Sequence, residues 1–219
     1  MAHILLGATG SVAAIKVPSL YTTLKAAGHS VRVVATEPAL YFFDPSELVG
    51  DEADQILYRD HDEWPTAGWQ RGDRVVHIAL REWADILILA PLDANTLAKI
   101  AMGLCDNCLT CVVRAWDFAR PIVLAPAMNT RMWQSPITRR HLAQILADHG
   151  DGHQGNDWTL EEAPEVFARH TPNLVLVPPQ AKRLACGDFG VGAMADVPRI
   201  AEAVMRWGME PSSDDQPCQ

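Results

Sequence analysis

The chain has 219 residues, with 27 acidic against 18 basic side chains and a formal charge of −9. That balance argues against a nucleic-acid partner, which asks for clustered Lys and Arg, and leaves room for a local basic site that takes a phosphorylated small molecule. A hydrophobic content of 48% suits one soluble domain, and five cysteines, an odd number, speak for a reduced cytoplasm rather than a disulfide framework.

The opening MAHILLGATGS lacks the basic start and cleavage site of a signal peptide. No apolar run anywhere approaches the roughly 20 residues of a membrane span. HILLGATGSVAAIK reads as an apolar strand, a Gly-containing turn and a helix over Ser11 to Ala27, where Pro18 should kink the helix or shift its start. Further strands are SVRVVAT (Ser30 to Thr36), QILYR (Gln55 to Arg59), ADILILAP (Ala84 to Pro91), RPIVLAP (Arg120 to Pro126) and NLVLVPP (Asn173 to Pro179). Helical patterns lie between them, at Ala94 to Met102, Asn107 to Trp116 and Ile137 to Ala147, with a last one at Pro198 to Trp207. This alternation predicts an α/β fold, a doubly wound parallel sheet covered on both faces. Such sheets bind ligands at the carboxyl ends of their strands.

Residues 1–207 form one domain in this reading, and two segments look added. Asp151 to Pro172 reads as an insertion, with TLEEAPEVFARH as a short surface helix capped by Thr159 and Glu162. The stretch 208–219 is polar and acidic, and reads as a disordered tail.

Several stretches carry candidate chemistry. Gly7, Thr9, Gly10 and Ser11 stand at a strand-to-helix turn, where free N–H groups suit a phosphate. The pattern is not the full dinucleotide fingerprint, and a flavin mononucleotide phosphate fits it better; a plain Gly turn with a Ser cap reads equally well. Asp93, Ala94, Asn95 and Thr96 follow the ADILILAP strand, as ribityl or phosphate ligands or, on residue type alone, as simple N-caps. CDNCLTC offers Cys105, Cys108 and Cys111 but lacks the fourth ligand of a ferredoxin run, so these read as small buried helix residues and not as a metal site. His77 in RVVHIALREWAD stands before the ADILILAP strand, either as a packed or surface histidine or as a general base. Asn129, in PAMNTRMWQSP, could orient an amide or carboxylate, while Met128, Met132 and Trp133 read as site lining or core. KRLACGDFGVGAMAD places Cys186 beside Gly187, Gly190 and Gly192, a mobile loop by its glycines.

Taken in order, GATGSVAAIK, VVHIALREWADILILAPLDANTLAKIA, DNCLTCVVRAWD, PAMNTRMWQSPIT and KRLACGDFGVGAMAD resemble the flavin-containing cysteine decarboxylases, especially those of coenzyme A synthesis. The resemblance implies a flavodoxin-like fold, bound FMN and assembly as homotrimers or multiples of trimers. It implies FMN contacts from Gly10, Ser11, Val12, Thr36, Asp93, Ala94, Asn95, Thr96 and Ala127. Asn129, Arg183 and Ala185 match substrate-binding positions, Lys182 to Met194 a substrate-clamping flap with hinge glycines, and His77 and Cys186 the catalytic pair. Many relatives carry Ser where Asp93 stands, and relatives usually have small polar or basic residues where Glu37 and Pro38 follow Thr36.

The activity implied is decarboxylation of 4′-phosphopantothenoylcysteine to 4′-phosphopantetheine. Oxidation of the thiol-bearing carbon gives a thioaldehyde that accepts the electrons left by CO2, with His77 handling the proton. The resulting ene-thiol is then reduced again, with Cys186 as proton donor and the flap excluding water. Two other classes compete. Some relatives are inhibitory subunits of a protein phosphatase, but these depend on long acidic extensions, and the tail here has only Asp214 and Asp215. A flavodoxin-type electron carrier would need neither Cys186 nor the Asn129 loop nor a flap.

Overall fold

Runs of Val, Ile and Leu build a six-stranded sheet in which every neighbouring pair is parallel. The computed structural model describes residues 1–50, 55–151, 157–183, 187 and 189–207. In chain order the elements are β1 (His3–Ala8), α1 (Val17–Ala26), β2 (Ser30–Ala35), β3 (Leu57–Tyr58), α2 (Asp60–Glu63) and α3 (Val76–Trp83). Next come β4 (Ile86–Leu92), α4 (Ala94–Ala101), α5 (Cys108–Arg114), β5 (Ile122–Pro126), α6 (Thr130–Trp133) and α7 (Pro136–His149). The chain continues through α8 (Ala163–His170), β6 (Leu174–Leu176), β7 (Gln180–Arg183), β8 (Phe189–Ala193) and α9 (Val197–Met205).

The main sheet has the order β3-β2-β1-β4-β5-β6. With the two-residue edge strand β3 set aside, this is the flavodoxin order, and the connectivity reverses between β1 and β4. Residues alternate between the faces with the period of a strand. Ile4, Leu6, Ile88 and Val123 pack with residues of α1 and α9 on one side. Leu5, Leu87, Leu89 and Leu124 pack with residues of α4, α5, α7 and α8 on the other.

Pro18 shifts the first helix instead of kinking it. Val12–Lys16 is a 3-10 turn, and α1 begins at Val17 with Pro18 in its first turn, where a missing N–H costs nothing. Two segments differ from the sequence reading. His77, read only as standing before the β4 strand, lies in a helix, α3, that the sequence reading did not include. The stretch read as an added surface helix has an inner face in the core: Ala163, Phe167 and Trp158 are buried in the same cluster as β5 and β6. Thr159 and Glu162 do bond reciprocally, closing a turn just ahead of α8.

Candidate active site

The carboxyl ends of β1, β2, β4 and β5 converge on the gap at the reversal, and Thr9 ties two of them together. Its buried hydroxyl donates to Pro91 O at 2.8 Å and accepts from Asp93 N at 2.7 Å. Gly10 follows where space is tight, since a Cβ there would come within 2.6 Å of Pro38 Cβ. Ser11 Oγ accepts from Ala13 N at 3.3 Å, and Asp93 Oδ1 from Thr96 N at 2.7 Å, so both cap the helical turns they precede.

Two cavities flank this turn. One, of about 190 Å³, is lined by Thr36, Asp93, Asn95 and Thr96 together with Glu37, Asp60, Lys99 and Asp106. Most of its acids already have protein partners. Asp93 caps α4, Asp106 pairs with Lys99 at 2.7 Å, and Asp60 Oδ1 accepts from Cys108 N at 2.9 Å. The donors that remain are hydroxyls, an amide and the open N–H groups of the first turn of α4, a set that suits the phosphate and ribityl oxygens of a flavin nucleotide. The other cavity, of about 420 Å³, is lined by Ser11, Val12 and Ala127, by Met128 and Asn129, and by Lys182 and Arg183 of β7. The sequence-derived flavin and substrate positions therefore meet at one end of the sheet, while Ala185 and Cys186 lie outside the described residues.

The expected flap is an antiparallel hairpin, β7 with β8, docked on the Asn129 loop. Two of its glycines, Gly190 and Gly192, are points of close contact there, whereas Gly187 has a φ of +90° and open space around it. A Cβ at Gly192 would stand 2.2 Å from Met128 O, and one at Gly190 2.3 Å from Thr130 Oγ1. Met128 N donates to Gly192 O at 3.0 Å, so backbone meets backbone. Asn129 Oδ1 accepts from Arg131 N at 2.9 Å, which fixes the side chain at the start of α6.

His77 lines neither cavity. It sits in the first turn of α3 against Glu63, the last residue of α2. Glu63 Oε2 accepts from His77 N at 2.7 Å, and Oε1 lies 2.6 Å from His77 Nδ1. An ionised carboxylate only accepts, so Nδ1 carries a hydrogen toward Glu63, and in the neutral ring Nε2 is then the acceptor. The Glu63 side chain is 6% exposed and that of His77 23%, so the imidazole is oriented yet reachable. Sequence reasoning missed Glu63. Its signal is the acidic run RDHDE, whose Asp60 caps α5 while Glu63 caps α3.

The three cysteines part company. Cys108 is buried and Cys111 half-buried within α5, but Cys105 is exposed and precedes the helix, so it is not the buried helix residue expected. Burial, above all, drives the Cys108 thiol well above its ordinary range and Cys111 up to about 11. Neither is a ready thiolate.

Residues 1–209 match the family model described as Flavoprotein. A phosphopantothenoylcysteine decarboxylase of Oryza sativa is 48% identical over 93% of this chain and 79% of its own length. One of Mus musculus is 43% identical over 92% of this chain and 85% of its own. Among solved structures, a PPC decarboxylase mutant complexed with pantothenoylaminoethenethiol superposes with a TM-score of 0.77 at 43% identity, covering 95% of this chain and 99% of the other. The FMN binding protein AtHal3 gives a TM-score of 0.74 at 43% identity, covering 96% and 98%.

Proposed function

The chain belongs to the Flavoprotein family, and from that premise we propose that it is an FMN-dependent phosphopantothenoylcysteine decarboxylase, releasing CO2 from 4′-phosphopantothenoylcysteine to give 4′-phosphopantetheine for coenzyme A synthesis. The observation that carries this reading is the cavity between the Ser11 turn, Asn129 and the docked hairpin, in a chain alike to such decarboxylases over nearly its whole length. When bound, FMN supplies reversible two-electron chemistry, which gives the departing CO2 an electron sink that a plain cysteine amide lacks.

The chain's own residues supply the rest. Gly10, Ser11, Val12, Thr36, Asp93, Ala94, Asn95, Thr96 and Ala127 hold the flavin nucleotide at the strand ends. Asn129, fixed by its bond to Arg131 N, presents its amide to the substrate, and Arg183 and Ala185 of the flap grip it. His77 takes up a proton at Nε2 during the first oxidation, with Glu63 bracing the opposite nitrogen. Cys186 returns a proton at the end. The hairpin covers the cavity and keeps water from the ene-thiol.

The position of His77 bears on assembly. The cavity is bordered by exposed apolar residues, Val12 and Ile15, and His77 by others, Val75 and Trp64. Two different patches that meet between copies make a head-to-tail contact, and such a contact gives a ring when the rotation between copies closes. We place the protein as a homotrimer, or a multiple of trimers, in which His77 of one copy serves the cavity of the next. We assign it to the cytoplasm, in keeping with its odd number of cysteines; among the described residues no helix is long and apolar enough to cross a membrane.

Purified protein should show an oxidised flavin spectrum and release CO2 from 4′-phosphopantothenoylcysteine. A colourless protein that yields no phosphopantetheine sinks the reading.

A further inference from the structure

Two lysines from opposite ends of the chain meet one carboxylate at the rim of the flap cavity. Lys16, at the end of the turn after β1, places Nζ 3.3 Å from Asp196 Oδ1; Lys182, in β7, places Nζ 2.6 Å from the same oxygen. Asp196 caps the start of α9 in position but bonds no backbone N–H with its side chain, so its carboxylate faces the lysines. Among the described residues these two lysines and Arg183 are the ionisable side chains that line the cavity, and all three are basic; Asp196 stands outside the lining. A chain with a formal charge of −9 thus presents a cationic cavity wall beside a second cavity rich in acids. Such a local field selects an anion.

The cavity also has a direction. Met128, Asn129 and Ala127 form its inner wall, with Ala127 and Met128 buried. The lysine side chains are partly exposed, 31% for Lys16 and 44% for Lys182. A substrate whose cysteine end lies against Asn129 extends its far end toward those ammonium groups. In the substrate of the proposed reaction, that far end is a phosphomonoester.

We propose that Lys16 and Lys182, gathered by Asp196, form the subsite that binds the substrate's phosphate, and that this pair sets the preference for phosphorylated over unphosphorylated substrate. The inference rests on the decarboxylase reading and adds the residues that recognise the non-reacting end. Ammonium groups bind phosphate as point charges through short charge-assisted hydrogen bonds. Asp196 acts as a positioning residue. Lys182, chiefly, with Gln180 and Lys16, holds its carboxyl down at about 2, so it stays ionised and keeps the two ammonium groups together at any working pH. Because Lys182 belongs to the flap hairpin and Lys16 to the flavin-side turn, a phosphate that engages both also fastens the flap to the body of the domain.

The test compares kcat/KM for 4′-phosphopantothenoylcysteine and for pantothenoylcysteine, in the wild type and in Lys16→Met, Lys182→Met and the double variant. The preference for the phosphorylated substrate should fall about tenfold in each single variant and about a hundredfold in the double, with the loss in KM and not kcat. Raised salt should weaken binding of the phosphorylated substrate in the wild type and much less in the double variant. Inorganic phosphate should inhibit the wild type competitively and the double variant at least tenfold more weakly. Flavin content and Tm report whether each variant is folded, and the phosphate inhibition gives a second readout where turnover is low. An unchanged preference in a folded double variant overturns the subsite while leaving the decarboxylase reading intact. A wild type that releases CO2 from neither substrate overturns that reading, and the subsite with it.

Discussion

Glu63 shows how much one carboxylate can decide. It binds both the backbone N–H and the ring Nδ1 of His77, at 2.7 and 2.6 Å, and so fixes the helix start, the ring plane and the tautomer together. A glutamine there has a single acceptor oxygen and can meet only one of those two donors. Glu63→Gln should therefore keep its flavin but slow the first oxidation on the order of a hundredfold, read as flavin bleaching on rapid mixing with substrate. Bleaching at the wild-type rate would leave Glu63 a structural cap and no more. His77 was legible as a candidate because near-neutral titration suits a base. Glu63 was not, because the contact spans 14 residues through the packing of α2 on α3, and no spacing rule links a residue to a partner in another element.

Whole elements carry the flap and the α5 cysteines, and here the glycine pattern tells less than the turn chemistry. Glycines crowded near Cys186 read as freedom of motion; Gly190 and Gly192 also let the hairpin press onto the Asn129 loop, a close approach that only the folded chain reveals. The strand ends, by contrast, were plain from the sequence, since GATGS and PLDANT join an apolar run to a cap residue. Gly192→Ala must move the hairpin, because its Cβ would lie 2.2 Å from a backbone oxygen. We expect a loss of about 1–3 kcal/mol in thermal denaturation and a KM raised at least tenfold, with flavin content unchanged; a wild-type KM would mean the hairpin closes without this contact. Helix α5 gives a prediction in pH. An unfolded chain loses the Cys111 proton near the ordinary 9.0, while burial first, then the charges of Cys105 and Glu63, hold it in the folded chain to about 11. Between those values the folded state retains a proton that the unfolded state has lost, so stability falls as pH rises. The contribution is full below pH 9 and gone above about 11. Under reducing conditions Tm should decline across that window, and less steeply in Cys111→Ala; parallel declines would show that Cys111 plays no part.

At the scale of the molecule, alternating apolar strands and helices made the doubly wound sheet legible, because a parallel sheet covered on both faces leaves long apolar runs that little else explains. The inner face of α8 was legible too, in the i, i+4 spacing of Ala163 and Phe167, but an unusual loop length drew attention to the surface instead. What a single chain's pattern does not carry is the relation between copies. The cavity holds Asn129 and the flap, whereas His77 lines neither that cavity nor its neighbour. If one copy's His77 completes the next copy's cavity, defects in the two places must complement each other. His77→Asn and Asn129→Asp should each be nearly inactive alone. Co-refolded or co-expressed, they should regain a substantial fraction of wild-type CO2 release, since some interfaces then join an intact His77 to an intact Asn129. Light scattering on the same mixture should give a mass of three chains or a multiple of three. A mixed assembly of that mass with no recovered activity would place His77 and Asn129 in one chain's site, and would require α2 and α3 to swing toward the cavity within each copy.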